Sequence, residues 1–345
     1  MRVTTPGAVP PDAAELRPRL AETSPCLRRL DQRKWTAFRV VEAFGARVGL
    51  RSDSAALLAR AVARCQAAGA RVLGAAPGTT MGGGRDVLVQ RLLSLSTGAA
   101  DAGAGARPAL ALYDGASRVH LTRDRDALLD EFDAALRVAL ADTSPTHLFV
   151  HAGVVGFGDS AIVLPGASLA GKTTLVRALL ALGATYLSDD VAVVDGEGRV
   201  HPYATPLAVR ADADSPQVPH DASSLGATVG RAPLPVGLVA FTHYRAGATW
   251  GPREIGSVGA AALSLLPHTA AVRHDPKRTF TLLGRLLDGA LVLSGARGEA
   301  DACGRALLRA LEERRRQRRA ASSGARTPAF PLAVDLRLAG SVAAT

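Results

Sequence analysis

The chain has 345 residues, 48% hydrophobic but only 4% aromatic, so it can bury a large core of alanine, valine and leucine and is not a disordered chain. A formal charge of +10 would suit a nucleic-acid partner, but the only lysines are Lys34, Lys172 and Lys277, and this arginine- and alanine-rich balance reads as GC-rich coding; no nucleic-acid role is expected. Three scattered cysteines without CxxC or zinc spacing exclude a disulfide scaffold or zinc finger, and the absence of a signal-peptide core or a membrane-length apolar run predicts a soluble, cytoplasmic protein without a membrane partner.

Residues 1–35 are Pro-rich and charged and read as a flexible leader. Residues 36–146 read as an N-terminal α/β part. FRVVEAFGARVGL alternates as one or two strands, and SDSAALLARAVARCQAAG as a helix capped by Ser52 or Asp53 and stopped at Gly69. Glycine-rich loops follow at 74–84 and 96–108. PALALYDG and ASRVHLT form a hairpin around Asp114-Gly115, and residues 125–142 an amphipathic helix. Residues 147–312 read as the core: strand HLFVHAGVV, turn GFGDS, strand AIVLP, loop GASLAGKT and helix TLVRALLALG. Then come short strand ATYLS, Asp189-Asp190 and strand VAVVD. Beyond an irregular stretch, residues 234–244 read as a buried strand, SVGAAALSLL and KRTFTLLGRLL as helices, GALVLSG as a strand and DACGRALLRALEERRRQ as a closing helix. Its basic run ERRRQRRA reads as a solvated helix end, and 313–345 as that end plus a frayed tail.

Gly166, Ala167, Ser168, Leu169, Ala170, Gly171, Lys172 and Thr173 match GxxxxGK[ST] between a strand and a helix, with Thr174 next in the chain. In such a loop successive backbone N–H groups point at one phosphate and the lysine reaches the β and γ phosphates. The hydroxyl of Thr173 coordinates Mg²⁺, and the helix aims its positive end at the anion. ATP and Mg²⁺ are therefore the expected cofactors. Asp189 and Asp190 lie only 17 and 18 residues after Lys172, so one helix and one short strand return them to the mouth of the loop. One carboxylate there suits Mg²⁺ and the other suits proton acceptance in phosphoryl transfer. His151, 15 residues before Gly166, is placed to orient an aspartate. Arg210, Arg245, Arg273 and Lys277 are further cations, better read as solvated surface.

Together, His151, Gly166–Thr173 and Ser188-Asp189-Asp190 resemble the HPr kinase/phosphorylase family, whose core is shared with phosphoenolpyruvate carboxykinases. The resemblance is specific between about 147 and 195. It implies an α/β P-loop core with a mixed β-sheet and flanking helices. It also implies Asp189 as catalytic base with Lys172 and His151 in the site, and Asp190 with Thr173 on the metal. The chain departs from the family in Gly-Lys-Thr-Thr-Leu, where an acidic residue usually follows GKS, and in lacking the later glycine-rich signature. The expected activity is transfer of the γ-phosphoryl group of ATP to a hydroxyl, most readily a serine of a peptide or small protein such as a natural-product precursor. A small-molecule kinase and a nucleotide-binding regulator with little turnover are the alternatives. The family's habit of forming homo-oligomers leaves self-association open.

Overall fold

The computed structural model describes residues 16–20, 25–73, 85–98, 108–166, 171–209, 215 and 218–322. Most of the expected leader, loop 74–84, loop residues 99–107, Ala167, Ser168, Leu169 and Ala170 of the phosphate loop, Arg210, and the tail from 323 onward lie outside the described residues. The described residues form an α/β protein with mixed sheets and seven α-helices.

The N-terminal unit begins with β1 (Leu16–Leu20) and α1 (Pro25–Asp31), then β2 (Ala37–Ala43) and β3 (Ala46–Ser52). Strand β1 pairs in parallel with β5 (Arg85–Val89), and α1 buries Leu27 and Leu30. The leader reading therefore fails for these stretches, because two apolar side chains spaced one helical turn apart suffice to dock a short helix. Helix α2 (Ala55–Ala67) starts at Ser54, whose Oγ accepts from Leu57 N, rather than at Ser52 or Asp53. With β4 (Arg71–Leu73), β6 (Arg91–Ser96), β7 (Leu110–Asp114) and β8 (Ser117–Thr122), the strands form one six-stranded sheet in the order β4-β2-β3-β6-β7-β8. Helix α3 (Arg125–Thr143) buries Leu128, Leu129, Phe132, Leu136 and Leu140, spacing that lines one helical face, and packs with α2 over the sheet. Each such leucine contributes about 1.5–3 kcal/mol when fully buried.

The second unit is built on β9 (Leu148–Phe157) and β10 (Ser160–Pro165), a hairpin around Gly158. It continues through α4 (Lys172–Ala181), β11 (Thr185–Ser188), β12 (Val191–Val194), β13 (Arg199–His201), β14 (Leu207–Val209) and β15 (Val218–His220). After these come β16 (Leu234–Tyr244), β17 (Arg253–Glu254), α5 (Val258–Leu265), α6 (Pro276–Leu287), β18 (Leu291–Arg297) and α7 (Ala300–Ser322). Strand β10 pairs with β9 and β16, and β9 leads through β12 and β13 back to β16, so five strands close into a ring. Strand β18 extends the sheet beside β16 in parallel. Helices α5 and α6 cover one apolar cluster of this sheet, and α4 and α7 another.

The two units share a core. Phe149, Val191, Val193 and Tyr203 of the second pack into the same buried cluster as α2 and α3. Phe44, at the β2–β3 turn, sets its ring edge-on to Phe149 and His147 at 5.6 and 5.3 Å. Helix α7 runs past residue 312, and Arg315 within its basic run pairs with Asp159 at 2.8 Å, so that run is not wholly a solvated end.

Candidate functional site

Strands β11 and β12 both pair antiparallel with β9; the register shifts inside β11, between Tyr186 and Ser188, and Ser188 already has the register of β12. Asp189 and Asp190 form the two-residue step that links the two strands. Ser188, fully buried, accepts from Val191 N at 3.2 Å, and Asp190 O accepts from Ala152 N at 3.1 Å, which fixes the step against β9. The short spacing after the phosphate loop has this cause: one helix and four strand residues return the chain to the same end of β9. His151 sits there too, opposite Val191. On the same face as His151, two residues further on, β9 carries Gly153, where a Cβ would lie 2.7 Å from Val176 Cγ2, so only glycine lets α4 approach this closely.

Helix α4 begins at Lys172, with Gly171 as its N-cap at φ +78°. The Lys172 ammonium donates to Gly166 O at 2.8 Å and lies 3.0 Å from His151 Nε2. An ammonium only donates, so Nε2 accepts and the ring proton belongs on Nδ1. Nδ1 in turn contacts Asp190 Oδ1 at 3.0 Å. The other oxygen of Asp190 takes Arg137, which projects from α3 of the N-terminal unit. Thr173 Oγ1 donates to Asp189 Oδ2 at 2.7 Å. Asp189 is 7% exposed, and its Oδ1 is buried without a hydrogen-bond partner.

These surroundings separate the two carboxyls. Burial pushes the Asp189 carboxyl up to about 6, against the Thr173 hydrogen bond, and the Asp190 charge adds to the rise. Burial also acts to raise Asp190, but the His151 hydrogen bond and the Arg137 charge outweigh it and hold that carboxyl below its usual range. Burial lowers the Lys172 ammonium, with both aspartates working against the shift.

The structure therefore brings His151, Gly166, Lys172, Thr173, Asp189 and Asp190 together, with Gly171 capping the helix and Thr174 exposed beside it. Arg245, Arg273 and Lys277 are exposed and make none of these contacts. Two arginines that were not picked out in the sequence belong to the constellation instead. Arg137 was legible only as a cation following Leu136 at the edge of a buried stripe. Arg297 closes β18, is 2% exposed, and donates to Gly171 O at 2.9 Å.

The hydroxyl of Thr173 and the unpartnered oxygen of buried Asp189 are hard oxygen donors side by side, which suits Mg²⁺. Among the described residues no three His, Cys, Asp or Glu side chains form a metal-holding group. Mg²⁺ sites completed by substrate phosphates need only one or two protein carboxylates. Among the described residues, no helix is long and apolar enough to cross a membrane. No family model matches the chain, and no curated protein matches it either.

Proposed function

We propose that this protein is an ATP- and Mg²⁺-dependent kinase that transfers the γ-phosphoryl group to a hydroxyl, with a serine of a peptide or small protein as acceptor. The observation that carries this reading is the assembly of the GxxxxGKT lysine and threonine directly against the Asp189-Asp190 step. Asp190 adds an anionic carboxylate beside the first, an arrangement that suits phosphoryl transfer in addition to metal binding.

The contacts favour a division of roles opposite to the one the family resemblance implies. Asp189, deeply buried and bonded to Thr173, is suited to hold Mg²⁺ with that hydroxyl. Asp190 is more open, its side chain 31% exposed, and stays anionic; held below the usual range it is a weak base, suited to accept a hydrogen bond from an incoming hydroxyl and align it, which is what a loose phosphoryl transfer asks of this residue. His151 orients it, and Arg137 fixes its second oxygen. Lys172 supplies positive charge where the transferred group is most negative, and losing such a group costs about 10²–10³ in rate. Bound Mg²⁺ would add charge neutralisation across the β and γ phosphates.

The test is transfer of labelled γ-phosphate from ATP to serine-bearing peptides, with Lys172→Met as the control. Labelled peptide from the wild type and none from the variant is the expected result. Equal labelling by both, or none by the wild type across broad peptide and small-hydroxyl sets, would overturn the reading.

A further inference from the structure

A cleft of about 870 Å³ opens beside Gly171 at the start of α4, lined among others by Gly171, Thr174, Tyr244, Arg297, Glu299 and Asp301. Neither Lys172, Thr173, His151 nor either aspartate lines it. It starts where α4 starts and runs along that helix away from the carboxylates. In phosphoryl transfer the attacking and leaving oxygens lie in line. If the acceptor enters beside Asp190, the rest of the nucleotide must leave away from it, and the cleft opens from Gly171 along α4 without Asp189 or Asp190 in its lining.

The lining has the chemistry of a nucleoside site. Arg297 is nearly fully buried. It bonds Gly171 O and Gly298 O, yet its Nε has no partner. It thereby ties the phosphate loop to the β18–α7 turn, the two walls of the cleft. Its guanidinium lies 5.5 Å from the centroid of the Tyr244 ring. Tyr244 is 54% exposed, an aromatic residue left open at the cleft, and its hydroxyl reaches Glu299 Oε1 at 3.5 Å. Glu299 and Asp301 are exposed carboxylates that accept hydrogen bonds from sugar hydroxyls or base amino groups and repel a second polyphosphate or an acidic peptide.

We infer that this cleft takes the nucleoside part of the nucleotide, the base packing on Tyr244 and the sugar or base donors meeting Glu299 and Asp301. The inference rests on the phosphate-site reading and is tested so that the two can fail separately. Calorimetry with Mg²⁺ compares ATP with inorganic tripolyphosphate for the wild type, Tyr244→Ala and Tyr244→Phe. The wild type should bind ATP more tightly than tripolyphosphate. Tyr244→Ala should weaken ATP about tenfold, the scale of one lost base–aromatic stack, and leave tripolyphosphate unchanged. Tyr244→Phe, which keeps the ring, should retain ATP affinity. Tripolyphosphate binding as well as ATP, or Tyr244→Ala weakening both ligands alike or neither, would overturn the nucleoside cleft and leave the phosphate site standing. Failure of the wild type to bind either ligand would overturn both.

Discussion

Replacing Arg137 with alanine asks whether the N-terminal unit is part of the catalytic apparatus or only packs behind it. The Arg137 and Asp190 side chains retain 27% and 31% exposure, so their pair lies between a surface and a buried ion pair. Surface pairs are worth about 0–1 kcal/mol, and breaking a buried one costs about 3–5 kcal/mol. A loss of about 1–2 kcal/mol is expected for Arg137→Ala, read by chemical denaturation. The chemical effect should be larger than this suggests. Asp190 would keep His151 on one oxygen but lose the group that fixes the other, and such loss of orientation costs up to about a hundredfold in turnover. ATP affinity should hold, because Arg137 takes no part in the hydrogen bonds of Lys172 to His151 and Gly166 or of Thr173 to Asp189. Arg137→Lys should restore stability better than turnover, since a single ammonium replaces the planar fork. The assay is Mg²⁺-dependent ATP turnover at saturating ATP beside nucleotide binding. Turnover unchanged while stability falls would make Arg137 a packing residue and refute the reasoning.

Two further perturbations probe the support of the site. Gly171→Ala places a Cβ at φ +78°, 2.3 Å from Arg297 Nη2, so it adds about 1–2 kcal/mol of backbone strain and must displace the arginine from Gly171 O; calorimetry should record at least a tenfold loss of ATP affinity in a protein that still folds. Asp195 accepts from His201, Arg199 and the Glu197 amide; burial opposes these bonds, but they hold its carboxyl down to about 2. A depressed carboxyl stabilises the fold above its unfolded value near 3.8 and loses that contribution as pH falls toward 2. The stability gap between wild type and Asp195→Asn should thus be on the order of 2 kcal/mol at pH 5 and close by pH 2, as read from denaturant titrations.

What the sequence disclosed, it disclosed through local pattern. The hairpin at Asp114-Gly115, the helix from Arg125 and the strand 234–244 follow from periodicity and turn residues a few positions apart, and the structure has each of them. The cluster of His151, Lys172 and the aspartates was legible because hairpin, helix and short strand are all short, leaving few ways to connect them. Long-range pairing was not legible. Nothing local tells Leu16–Leu20 to pair with Arg85–Val89, or β10 to close a ring with β16. Arg297 and Gly171 meet across 126 residues, and arginine is so common in this chain that composition hides the two that matter. The different surroundings of the two aspartates were hidden for a similar reason: adjacent residues face different neighbours, and only the pairing with β9 decides which neighbours those are.

The most direct measurement of the central claim is Mg²⁺-dependent ATP turnover by the wild type and by Asp190→Asn, each with nucleotide binding measured in parallel. Slow turnover by the wild type, with a variant that binds ATP equally well and does not turn it over, is the predicted result. Binding by both proteins with turnover by neither, even with hydroxyl acceptors supplied, or turnover that survives the substitution, would contradict it.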